Sequence, residues 1–127
     1  MSALVLDAGA FVAIDRDDRR MLAKLRVAQQ RGVELRSNAI VVAQVWRDDK
    51  GRQAVLARLL RAVDVRAVDE RQGRCAGVLI GKAGTSDPID ATLVLMAQPG
   101  DRIVTSDPGD IGHLLATASI QAVVTPC

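Results

Sequence analysis

The chain has 127 residues, a net charge of +2, two cysteines and only two aromatic residues, Phe11 and Trp46. That length gives a single domain, residues 1–127, with enough interior to fold without cross-links around an aliphatic core. Cys75 and Cys127, with no CxxC and no Cys/His cluster, argue against a disulfide framework or a structural zinc site, and the scarcity of aromatics argues against base stacking as a way to hold single-stranded nucleic acid.

The first apolar run, Leu4-Val5-Leu6, stops at Asp7-Ala8-Gly9. Its shortness and its branched Val5 predict a buried strand over 3–7. A short helix or turn follows over 8–14. After the charged DRDDRR at 15–20, Asp17 or Asp18 caps a helix with Met21, Leu22, Leu25 and Ala28 inward, ending near Gly32. Val33 to Arg36 is a second strand. Ser37 or Asn38 caps a helix carrying Ile40, Val41, Val45 and Trp46, expected to end around Lys50-Gly51.

Arg52 to Arg61 reads as an amphipathic helix and Val63 to Val68 as an edge strand or extended connector. Asp69 caps a helix through about Lys82, in which Gly73, Gly77 and Gly81 either let another backbone approach or weaken the helix. Asp87-Pro88 opens a helix to about Gln98, with acid at the cap and proline at the first helical position. Arg102 to Thr105 is a strand, Asp107-Pro108 opens another helix, and Ile120 to Val124 is the closing strand. The alternation predicts an α/β fold with a mostly parallel sheet. No basic leading region precedes the first apolar run, Asp7 interrupts it, and no stretch reaches membrane-spanning length. The cytoplasm is the expected compartment.

Fourteen of the seventeen bases are arginine and thirteen of the fifteen acids are aspartate. Arginine suits phosphate and aspartate suits Mg²⁺ or Mn²⁺, although a solvated surface in an arginine-rich composition explains the same bias. In an open parallel sheet, ligands bind at the carboxyl ends of the strands, where Asp7 and Asp107 fall. Asp87 and Asp90 sit in the first turn of the 87–98 helix, and Gln44 lies in the helix after the second strand. Acids gathered at one edge repel one another unless a cation or protons lie between them. Capping is the simpler explanation for Asp87 and a rival one for Asp107. Asp90 heads a run with little polar surface, which makes it more suggestive of a site. Asp110 either backs up Asp107 or decorates the surface.

The stretches LVLDAGAFVAI at 4–14, SNAIVVAQVWRD at 37–48, DPIDATLVLMA at 87–97 and IVTSDPGDI at 103–111, in that order and spacing, resemble a PIN domain, and more closely a VapC-type toxin of a toxin–antitoxin pair. The resemblance implies a three-layer α/β/α fold and a ribonuclease dependent on Mg²⁺ or Mn²⁺. It assigns Asp7, Asp90 and Asp107 as metal-binding catalytic acids, with Thr105 and Ser106 in support. It also implies a homodimer, and a VapB-like antitoxin that closes the acidic cleft and supplies any DNA binding. The second acid of the family pattern, a glutamate, is Gln44 here, within Val42-Ala43-Gln44-Val45. An amide can orient water but cannot act as a carboxylate base. The alternative is therefore a weakly catalytic or inactive PIN-like module that binds RNA or protein. The sequence lacks GxGxxG and GxxxxGK[ST], and its three lysines are not placed as a receiver domain requires.

Overall fold

A computed structural model describes residues 2–48 and 51–127. Five strands form one sheet: β1 (Ala3–Leu6), β2 (Glu34–Asn38), β3 (Val63–Arg66), β4 (Arg102–Thr105) and β5 (Val123–Pro126). Their spatial order is β3-β2-β1-β4-β5 and every pairing is parallel. Among the described residues, seven helices flank the sheet in a three-layer α/β/α arrangement: α1 (Ala8–Asp15), α2 (Arg19–Gln30), α3 (Ala39–Val45), α4 (Ala54–Leu60), α5 (Glu70–Ala83), α6 (Pro88–Leu95) and α7 (Pro108–Ala118).

The first strand is the central one. All four residues of β1 are buried, as a strand covered on both faces requires. The chain moves outward from β1 through β2 to β3, then returns to add β4 and β5 on the other side. The connections therefore reverse direction between β1 and β4, and a crevice opens at the carboxyl ends of these two strands. Asp7 follows β1, and Ser106 and Asp107 follow β4, so both flank that crevice. Beneath it lies a continuous aliphatic core around Phe11, Leu6, Ile103, Leu93 and Ile111.

Several boundaries differ from those predicted, and at each a polar side chain takes a backbone partner. Helix α3 stops at Val45 and Trp46 is already extended. Gln53 Nε2 donates to the Val45 carbonyl at 2.9 Å, its Oε1 accepts from the Arg47 N–H at 2.7 Å, and Arg47 donates to Ala43 and Trp46 carbonyls. These bonds satisfy the helix end and make continuation unnecessary; the predicted endpoint at Lys50 lies outside the described residues. Strand β2 runs on to Asn38, where Ser37 and Asn38 continue the pairing with Val65 and Arg66 of β3, and Ser37 Oγ donates to the Leu6 carbonyl at 2.7 Å on the other side. Helix α6 ends at Leu95, and Asp101 captures the Gln98 N–H at 2.9 Å.

The closing strand begins at Val123, opposite Arg102, since residues 119–122 are used in ending α7 and in a bond from Gly100 to Gln121. Nothing outside α5 lies within 4 Å of a Cβ built on Gly73, Gly77 or Gly81. The close-approach reading of those glycines therefore fails, and α5 buries Ala76 and Leu79 instead. No helix of the described residues is long and apolar enough to cross a membrane.

Candidate metal centre

Four elements deliver acids to the crevice. Asp7 caps α1: its Oδ1 accepts the Ala10 N–H at 3.3 Å, and the residue is only 6% exposed. Its own N–H donates to the Val104 carbonyl at 3.1 Å, which pins the end of β1 to β4. Asp87 is a true cap of α6 and accepts from the Ile89 and Asp90 N–H groups at 2.9 and 3.2 Å. Proline at the next position suits the first helical turn.

Asp107 also precedes a proline, yet its side chain makes no capping bond. The Thr105 hydroxyl instead accepts the Asp107 N–H at 2.9 Å. Thr105 is fully buried, so it fixes the backbone of Asp107 while the carboxylate stays available. The two Asp-Pro sequences, alike on paper, thus do different work.

Asp90, Asp107 and Asp110 each offer a carboxylate oxygen such that the three lie within 4.8 Å of one another. Asp90 is half-buried and the other two are exposed. Burial, reinforced by the charges of Asp87, Asp107, Asp7 and Asp110 in that order, raises the Asp90 pKa to about 6. A hydrogen bond with Asp107, then its charge, pushes Asp110 above the usual carboxylate range. Asp7 is near enough to act on Asp90 but lies outside the three-carboxylate group. Asp110, left by the sequence between support and decoration, lies inside it. Its spacing of three from Asp107 in the first turn of α7 is the signal that placed it there. Gln44 is exposed on α3, a helix that packs against α1 and α6, the elements that begin at Asp7 and just before Asp90.

Hard oxygen donors crowded this closely match what a divalent cation requires once it displaces their protons. A cation would relieve the repulsion that adds to burial in raising the Asp90 pKa.

Gly9 and Cys127 form a wall that the sequence did not disclose. A Cβ on Gly9 would meet Ser106 Oγ at 2.5 Å, Ser106 Cβ at 2.7 Å and Cys127 Sγ at 3.1 Å. Cys127 is tied to the end of β4: its N–H donates to the Thr105 carbonyl at 3.0 Å. Although the residue as a whole is exposed, its thiol is tucked inward, and burial followed by the Asp7 charge pushes its pKa up. Gly9→Ala is therefore expected to destabilise the protein by about 1–3 kcal/mol, because the Ser106 backbone has to move as well as its hydroxyl. Urea denaturation measures this, and a loss below about 0.5 kcal/mol would show that the wall yields freely.

No family model matches this sequence, and no curated protein matches it. Among solved structures, the chain is similar to a chain in the crystal structure of VapBC2 from Rickettsia felis bound to a DNA fragment from their promoter. The TM-score is 0.69 at 14% identity, over 100% of this chain and 99% of that one. The likeness is one of fold along the whole length.

Proposed function

We propose that this chain, a single domain over residues 1–127, is a divalent-metal-dependent ribonuclease and the toxin of a toxin–antitoxin pair. The observation that carries the proposal is the meeting of Asp90, Asp107 and Asp110 within 4.8 Å at the switch point. Burial of Asp90, followed by the charges of its neighbours, Asp7 among them, raises its pKa to about 6. Asp90 and Asp107, with Asp7 and Asp110, would hold Mg²⁺ or Mn²⁺. Such an ion supplies Lewis-acid stabilisation of a phosphodiester and a more acidic water.

The protein's own groups then have distinct tasks. Asp107, whose carboxylate makes no capping bond, receives a proton from the attacking water. Asp87 holds the first turn of α6 so that Asp90 faces the crevice. Ser106 packs on Gly9 and fixes the corner after β4. Water attacks phosphorus in line, the bond to the 3′ oxygen breaks, and that oxygen takes a proton from solvent. The products are a 5′-phosphate and a 3′-hydroxyl. The reading is tested by digestion of single-stranded RNA with Mg²⁺, with Mn²⁺ and with chelator. Cleavage that survives chelation would remove it.

A second reading rests on Gln44, which leaves α3 without the acid of the resembled pattern. In that reading the protein binds RNA or a protein partner and cuts slowly or never. Gln44→Glu is expected to tighten Mn²⁺ binding by about tenfold and to raise cleavage with it, as restoring a ligand to a carboxylate site does. Calorimetric titration of Mn²⁺ into both forms decides between the readings. Absence of binding in either form would favour the non-catalytic module.

The proposed partners are an antitoxin of the VapB kind and a second copy of this chain, with DNA reached only through the antitoxin. Support comes from the fold shared with a chain of a VapBC2 complex bound to promoter DNA.

A further inference from the structure

A second cleft, of about 340 Å³, opens between α2 and the amino-terminal part of the sheet, and it is lined by Lys24, Val27 and Ala28 of α2, by its C-cap Arg31, and by Leu4, Arg102 and Thr125 among the strand residues. Lys24, Val27, Ala28 and Arg31 are spaced i, i+3, i+4 and i+7. They form one stripe of the helix, with the two cations two turns apart, about 10.5 Å along the axis. Arg102 opens strand β4 on the sheet side of the same cleft.

All three cations are exposed, none forms an ion pair among the described residues, and no acid lines the cleft. In a chain of net charge +2, three unopposed cations around an apolar floor are a local concentration of charge. Val27 is 44% exposed and contributes to that floor.

The cleft lies toward the amino ends of β1 and β4, a strand's length from the crevice at their carboxyl ends. The charge of Lys24 acts on the Cys127 thiol, on which Asp7 and Asp18 act as well. Cys127 in turn closes on Gly9 beside Ser106. Helix α2 therefore starts beside the acidic crevice, at its cap Asp18, and carries its cations away from it. A polyanion approaching four or five aspartates needs attraction from somewhere other than the acids, and arginine and lysine are the residues that supply it.

We propose that this cleft binds the phosphodiester backbone of single-stranded RNA flanking the bond to be cut, with Lys24, Arg31 and Arg102 contacting phosphates and Leu4, Val27 and Ala28 accommodating sugar or base. The proposal rests on the nuclease reading for its choice of RNA over an acidic protein or an anionic membrane. The all-cationic rim, one strand's length from the acidic crevice, favours that choice.

The test is the full chain in EDTA, titrated against a fluorescein-labelled 12-nucleotide RNA of mixed sequence between 50 and 200 mM salt. Lys24→Gln/Arg31→Gln/Arg102→Gln is compared with Arg58→Gln/Arg61→Gln/Lys82→Gln, which removes as many cations elsewhere. The first triple is expected to weaken binding about tenfold or more at 50 mM salt. It should also lower the salt dependence by about two log units per log salt, the value for three single-strand phosphate contacts. The control triple should leave the slope near that of the wild type.

Lys24→Arg/Arg31→Lys/Arg102→Lys guards against a folding defect and should bind within about threefold of wild type. Equal losses in both glutamine triples overturn the cleft, as does tighter binding of poly-glutamate or of phosphatidylglycerol vesicles than of RNA. Cleavage is assayed separately with Mg²⁺. Cleft-dependent binding without any metal-dependent cleavage overturns the nuclease reading and leaves the cleft standing. Metal-dependent cleavage with binding unchanged by the triple does the reverse.

Discussion

Asp90→Asn is expected to lower Mg²⁺-dependent cleavage of RNA by at least about a hundredfold and, at the same time, to make the metal-free protein more stable at neutral pH. The opposite signs have one cause. The Asp90 carboxyl titrates near 3.8 when unperturbed and at about 6 in the folded protein, through burial and then the charges of Asp87, Asp107, Asp7 and Asp110. Between these values the folded state holds more protons than the unfolded one, so stability falls as pH rises. The favourable contribution of the protonated acid is whole below about pH 4 and is gone above about pH 6. A shift of about two units corresponds to about 3 kcal/mol at most. Asp90 is only half-buried, and solvent screening reduces this to about 1 kcal/mol.

Asparagine keeps the shape and removes the charge, so the variant should gain about that amount at pH 8 and little at pH 4. Adding Mg²⁺ should stabilise the wild type through preferential binding to the folded state and leave the variant nearly unmoved. Urea denaturation at pH 4, 6 and 8, with and without Mg²⁺, reads all of this. A variant no more stable than the wild type at pH 8, and equally protected by Mg²⁺, would mean that Asp90 is not under the strain of a metal site.

The strands and caps that depend on local chemistry were legible in the residues. Asp18, Asn38, Asp69 and Asp87 all accept N–H groups at helix starts as expected, and β1 and β4 lie where short apolar runs end in acids. What failed was non-local. Nothing near Val45 in the chain announces that Gln53, eight residues on, will close the end of α3. Asp107 looks like Asp87 until its side chain is seen to leave the first turn of α7 uncapped. The acids themselves were legible as candidates, because strand ends converge in a parallel sheet. The grouping of Asp110 with Asp90 and Asp107, and the position of Asp7 just behind them, depended on how far α6 and α7 reach over the sheet edge. The contact of Gly9 with Ser106 and Cys127 was invisible, because it joins three strand ends far apart in sequence.

The same blindness hid a buried acid paired with a buried arginine. Asp101, in the Pro-Gly-Asp turn before β4, is 2% exposed. Its Oδ1 accepts the Ala3 N–H at 2.8 Å and its Oδ2 the Gln98 N–H at 2.9 Å. It also pairs with Arg36 of β2 at 3.4 Å, with the two side chains 8% and 3% exposed. Arg36 has a shorter pairing with Glu34, at 3.0 Å, but Glu34 is 48% exposed, and a wet partner offsets little of the cost of a buried guanidinium. Arg36 Nε already lacks a hydrogen-bond partner. An arginine inside the otherwise buried β2 pattern was the one sign that such an acid must exist.

Asp101→Ala would leave that charge uncompensated and release the N–H groups that fasten β1 and the α6–β4 turn. The expected loss is about 3–5 kcal/mol, a large part of the 5–15 kcal/mol typical of a domain. Arg36→Met/Asp101→Leu should recover much of it, because removing both charges removes the desolvation cost along with the attraction. The recovery should be incomplete, since leucine cannot accept the Ala3 and Gln98 N–H groups. Urea midpoints for the two singles and the double give the coupling energy directly. A loss below about 1 kcal/mol for Asp101→Ala would show that Glu34 alone suffices for Arg36. The site at the far edge of the sheet would then owe nothing to this clamp.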